Sequence, residues 1–178
     1  MSRVAILSVL MIVAVVVPSL VASGVQAATP PVITSVVITR VLPGNTGVVY
    51  MTINGRGFGT NPGTVPAGLG ASGIDTVQSS STPSLGICDV SQGWRAGGKF
   101  SGNTNVGHGC TLYSGTNNIG VYLDAWTSTQ IVLGGFGNAL GGAAFYHIHT
   151  GDTLVFVVFG PSNSGYSTYV IAYSGPSA

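Results

Sequence analysis

Glutamate is absent from this 178-residue chain, and only five basic and four acidic side chains are present. Charged residues make up 5% of the sequence, against about 25% in an average soluble chain. This scarcity excludes several classes of function. Nucleic-acid binders present clustered Lys and Arg to phosphates, yet Arg95 and Lys99 are the only close pair of cations. A membrane-surface helix needs a basic amphipathic face, and none is found. Glycosidases need two carboxylates about 5–10 Å apart, whereas Asp75, Asp89, Asp124 and Asp152 are scattered singly. Acid denaturation proceeds largely by protonating carboxylates that are paired in the native state. A chain with four of them has little to lose, so tolerance of acid is expected.

Other absences narrow the reading further. No Gly-x-Ser-x-Gly elbow occurs. Gly68-Leu69-Gly70-Ala71-Ser72-Gly73 matches a dinucleotide fingerprint by letter, but it lies in a Gly/Pro/Ser stretch rather than between a strand and a helix. Two cysteines are too few for a structural zinc site. No catalytic constellation stands out, so a non-enzyme without a cofactor is expected.

What is present begins with an export signal. Ser2-Arg3 is a short basic start, residues 4–17 are almost wholly apolar, Pro18 ends the run, and Val25-Gln26-Ala27 resembles a small-x-small cleavage site. The apolar run is shorter than the roughly 20 residues of a spanning helix. Residues 1–27 are therefore read as a signal peptide, with an uncleaved anchor as the rival. Residues 28–178 are read as one domain, secreted or held at the cell surface. Any membrane contact would be through the N-terminal segment alone. In an oxidising compartment Cys88 and Cys110 are expected to pair.

After the signal no 3.6-residue apolar period persists. Short β-branched and aromatic runs alternate with Gly, Pro and Asn clusters, the pattern of an all-β chain. Strands are expected at residues 32–39, 47–53, 85–90, 119–126, 130–133, 153–159 and 168–173. The nearly continuous apolar run 153–159 suits a central strand, and both faces of 47–53 look partly apolar. Seven strands of this length suit a two-sheet, immunoglobulin-like sandwich, preceded by the N-terminal signal helix. The stretches 60–83 and 97–118 read as long loops, the natural place for binding, with the disulfide at the base of the second.

Two segments carry a family resemblance. Ile53-Asn54-Gly55-Arg56-Gly57-Phe58-Gly59, following 31–36, resembles the Ile-x-Gly-x-Gly-Phe-Gly opening of an IPT/TIG domain. Trp126-Thr127-Ser128-Thr129-Gln130-Ile131 resembles that family's later Trp-Ser/Thr-x-Thr-x-Ile stretch. The resemblance implies an immunoglobulin-like binding or spacer module of surface proteins, with no shared catalytic residues. Gly55, Gly57 and Gly59 would then supply positive-φ turn positions, and Phe58 would fold back as a core plug.

Candidate sites follow from residue type. His147 and His149 would share a face on a strand, and with Asp152 and His108 they suggest a metal site. Trp94, Arg95 and Tyr113 flank the second long loop and suggest a recognition patch for a surface glycan or protein. Core packing explains Trp126 better. The alternative to a binding module is self-assembly of a surface filament or layer, with the apolar strand 32–41 completing a neighbour's sheet; a secreted hydrolase is the third reading.

Overall fold

The computed structural model describes residues 29–41, 49–60, 65–66, 74–75, 83–97, 103–112, 119–136, 147–161 and 164–177. The signal segment, Tyr113 and the Gly68–Gly73 motif lie outside the described residues. The strands are β1 (Val32–Val41), β2 (Val49–Arg56), β3 (Val65–Pro66), β4 (Ile74–Asp75), β5 (Ser84–Asp89), β6 (Trp94–Gly97), β7 (Thr104–Gly107), β8 (Cys110–Leu112), β9 (Val121–Trp126), β10 (Gln130–Phe136), β11 (Thr153–Phe159) and β12 (Tyr166–Ala172). One sheet runs β1-β2-β10-β9-β4-β3, the other β12-β11-β5-β6, and β7-β8 forms a separate hairpin. The strand pairs within them are antiparallel. The chain is an all-β sandwich.

Side-chain alternation builds the core. Val49, Met51 and Ile53 of β2 point inward with Ile131 and Leu133 of β10. They meet Leu85 and Ile87 of β5 and Leu154, Phe156 and Val158 of β11. Successive strand residues face opposite sides, so Tyr50 is left exposed, and β2 buries one face rather than two. β11 is different. Its even positions face the sandwich, while Val155 and Val157 pack on the other face with Cys88, Val106, Cys110 and Leu112. The β7-β8 hairpin covers that outer face, which is why 153–159 is apolar throughout.

The hairpin corrects the sequence reading, which assigned 97–118 to a loop. β7 and β8 lie inside that stretch and β6 ends at its first residue, while the short β3 and β4 lie inside 60–83, also expected to be a loop. The disulfide does form between Cys88 and Cys110, with a Cα–Cα distance of 5.8 Å across 22 residues. It joins β5 to the residue just after the His108-Gly109 turn, so it pins the hairpin's tip rather than a loop base. A buried disulfide suits an oxidising compartment. Replacing both cysteines with serine is expected to lower stability by about 3 kcal/mol, from loop-closure entropy alone. Urea unfolding of the variant against the oxidised chain checks this.

Candidate functional site

Trp94 was expected on a recognition patch, but it is 2% exposed. β6 alternates Trp94 and Ala96 inward. The indole N–H donates to the His147 carbonyl at 2.9 Å, and its ring meets Phe136 edge-on with centroids 6.2 Å apart. No face remains for a sugar ring. Arg95 points to the opposite side, half-buried. Its Nε donates to the Thr111 carbonyl on β8 and its Nη1 to the Gly93 carbonyl at 3.2 Å. The guanidinium thus helps fasten the hairpin over the sheet.

The two histidine rings lie together as expected, but residues 147–149 are not in a strand. Ile148 is buried in the core, while the imidazoles of its two neighbours meet with centroids 5.8 Å apart. Among the described residues, no three His, Cys, Asp or Glu side chains converge to hold a metal ion. His108 sits in the β7-β8 turn with φ 53°, and of the expected set His149 is brought to the Asp152 carboxylate, which Gln92 also holds.

The two resemblance-bearing segments are in direct contact. Phe58 is fully buried. Its carbonyl accepts the Trp126 indole N–H at 3.2 Å, and its own N–H donates to the Ser128 carbonyl at 3.0 Å. Thr127 Oγ1 accepts from the Gln130 N–H at 2.9 Å and shapes the tight turn between β9 and β10. Gly57 and Gly59 take φ of 74° and 78°. Gly55 is needed for a different reason from the one expected: a Cβ there would overlap the Val32 carbonyl oxygen and lie 2.5 Å from the Phe58 ring.

A cluster that the sequence did not reveal lies beside Trp94. Asp89, at the end of β5, is 1% exposed, and Asp152, just before β11, is 4% exposed. The Gln92 backbone N–H donates to Asp89 Oδ1 at 2.9 Å, and the Gln92 side chain donates to Asp152 Oδ1 at 3.0 Å. The His149 N–H donates to Asp152 Oδ2 at 2.6 Å, and the His149 ring stands 3.4 Å from the same oxygen. The two carboxyl groups face each other. Burial, reinforced by the nearby Asp152 carboxylate, raises the Asp89 carboxyl from 3.8 to about 6. Burial also acts on Asp152, but the hydrogen bonds from Gln92 and His149 outweigh it and hold that group below the ordinary range.

Residues 147–152 are further tied to the C-terminal segment. The Tyr173 N–H donates to the Asp152 carbonyl at 2.7 Å, and the Gly151 N–H to the Tyr173 carbonyl at 2.6 Å. Thr150 Oγ1 donates to the Gly175 carbonyl at 2.6 Å. That segment forms one wall of a groove of about 600 Å³, whose other wall is residues 36–39 of β1. Among the described residues no charged side chain lines it. β1 and β12 are edge strands of their sheets, and Val37 (48%) and Val170 (40%) stand exposed on them. Two bulges interrupt the β1 register, at the steps past Thr34 and Thr39. Both threonines donate to carbonyls of β2.

No protein-family profile, curated protein or solved structure matches this chain.

Proposed function

We propose that this protein is an exported, non-catalytic β-sandwich that works by association, its β1 edge pairing with an extended segment of low charge, foremost that of a second copy of itself. The observation that carries this reading is the β1–β12 border. Among the described residues no strand pairs with β1 on its outer side; the Ile33 N–H donates to Ser167 Oγ of β12 at 3.1 Å, and the remaining groups of an edge strand invite strand addition. The adjoining groove is lined, among the described residues, by uncharged side chains of mixed polarity, so a charged partner would lose solvation there without gaining a counter-ion from them. A chain with 5% charged residues supplies a matching surface. The export signal at residues 1–27 and the buried disulfide support a secreted or cell-surface setting. The IPT/TIG resemblance at Gly55–Gly59 and Trp126 supports a module that binds rather than catalyses. The rival glycan-binding reading loses its anchor with the burial of Trp94.

Size-exclusion chromatography with light scattering, followed by negative-stain microscopy, tests the reading. Concentration-dependent oligomers or filaments are expected from the wild type. Val37→Lys should abolish them, because a charged residue on an edge strand disfavours pairing. Its thermal midpoint should hardly move, since exposed substitutions usually stay within about 0.5 kcal/mol. A strict monomer at high micromolar concentration sinks the self-association reading and directs attention to glycan arrays.

A further inference from the structure

The strongest unassigned feature is the pair of buried carboxyl groups, and its hydrogen bonds can be counted. Four carboxyl oxygens are present. Asp89 Oδ1 receives the Gln92 backbone N–H, Asp152 Oδ1 the Gln92 side-chain amide, and Asp152 Oδ2 the His149 N–H. Asp89 Oδ2 is buried and receives no donor. An ionised carboxylate is acceptor-only, whereas a protonated one donates. Two like charges buried in contact are strongly disfavoured. A single proton on Asp89 Oδ2, directed to Asp152, resolves both problems.

We propose that Asp89 and Asp152 form a proton-held clasp that secures residues 147–152 to the β5–β6 turn in mild acid and loosens as the pH rises to neutrality. The clasp acts at a junction already dense in contacts. Trp94 bonds the His147 carbonyl, and the Thr153 N–H donates to Ser91 Oγ at 3.0 Å. Loss of the shared proton leaves two facing carboxylates with Gln92 as the side chain that bridges them. The 147–152 segment also holds the groove wall at residues 173–175. A consequence for association therefore rests on the proposed function, whereas the clasp does not.

The other groups near the pair are accounted for. His149 faces Asp152 from the same segment, and an imidazolium there would favour the ionised Asp152. His147 is in ring contact with His149. From β12's end, Tyr173 directs its hydroxyl to the Pro176 carbonyl at 2.9 Å, and burial raises its pKa. Arg95 reaches from β6 toward β8 and Gly93.

The sign follows from the folded values. Asp89 is raised from 3.8 to about 6, so the folded state holds an extra proton in that interval. Its stabilisation is full below pH 3.8 and is lost as pH rises through about 6. Asp152 is lowered, so its contribution is present above the ordinary carboxylate value and is lost in stronger acid. Stability should peak in mild acid.

Thermal unfolding of the full chain across about pH 4.5 to 7.5 tests the clasp. The wild-type midpoint is expected to fall by about 5–10 °C over that range. Asp89→Asn supplies a permanent donor that does not titrate, so it should lose most of this slope. His149→Ala should retain it. Hydrogen exchange of the wild type, corrected for intrinsic rates, should show residues 147–152 less protected at the higher pH. A flat or rising wild-type midpoint overturns the proposal. So does a wild-type slope in Asp89→Asn, or a slope that vanishes only in His149→Ala.

Discussion

Trp94→Ala is expected to lower stability by about 3–5 kcal/mol, the range for deleting a buried aromatic side chain. Trp94 is among the largest fully buried side chains, and several elements depend on it. Its ring fills the space against Phe136 at the end of β10. Its indole N–H satisfies the part-buried carbonyl of His147 at the start of the clasp segment. Truncation therefore removes packing and leaves a polar group without its partner. Trp94→Phe should cost less, because it restores most of the volume and loses only the hydrogen bond. Urea unfolding of the three proteins gives the comparison, and an alanine variant within about 1 kcal/mol of wild type would falsify the core assignment. The consequence for function is practical. A loss of binding in Trp94→Ala would report a damaged fold, so any ligand surface has to be mapped with exposed side chains such as Tyr50, Val37 and Val170.

The fold was legible where one strand is long and continuously patterned. Residues 153–159 contain enough apolar surface to be buried on both faces, and β11 lies between β5 and β12 in the observed sheet. β1, β2, β5, β9, β10 and β12 were legible for the same reason, with ends displaced by a few residues. β3, β4, β6, β7 and β8 were not, the first two being only two residues each. Trp94-Arg95-Ala96-Gly97 is too short for a period-2 signal to stand out. Thr104–Gly107 is rich in residues that favour turns. β7 and β8 are held by the disulfide and the apolar outer face of β11, and β6 by pairing with β5 and turning Trp94 and Ala96 into the sandwich, which are tertiary causes with no local signature. The carboxyl pair was hidden for a related reason. Asp89 and Asp152 each precede or follow a turn, where an isolated aspartate reads as a turn former. Their proximity arises only once β5 and β11 pair, with Leu154 opposite Asp89. Low acidic content did suggest acid tolerance. The cluster sharpens this, since what matters is the environment of two particular carboxyl groups rather than their small number.

Phe58→Ala and Gly55→Ala should both be severe, for opposite physical reasons. The first opens a cavity where a fully buried ring stood, at about 3–5 kcal/mol. The second inserts a methyl group into filled space. A Cβ on Gly55 overlaps the Val32 carbonyl, which is fixed backbone of β1, and crowds the Phe58 ring at 2.5 Å. Overpacking of this kind typically costs about 1–3 kcal/mol, and the rigid neighbour places it at the upper end. Gly57→Ala is the informative control. Its Cβ would lie 3.3 Å from the Pro31 Cα, a tight approach without overlap, so its penalty is mainly that of the positive φ of 74° and should be about 1–2 kcal/mol. The double variant Gly55→Ala/Phe58→Ala should cost less than the sum of its parts. Removing the ring relieves one clash, and neighbouring sites couple in this way. It should still cost more than Phe58→Ala alone, because the overlap with Val32 persists. Guanidinium unfolding of the four variants separates these contributions. An additive double variant would mean that Gly55 is constrained by β1 alone. A less-than-additive one would mean that the close approach of Gly55 and the burial of Phe58 are a single packing unit, with Trp126 holding the Phe58 carbonyl from the far side. In that case the glycine-rich segment is read as a core element that joins β1, β2 and β9, and the search for a partner surface belongs at the β1–β12 edge.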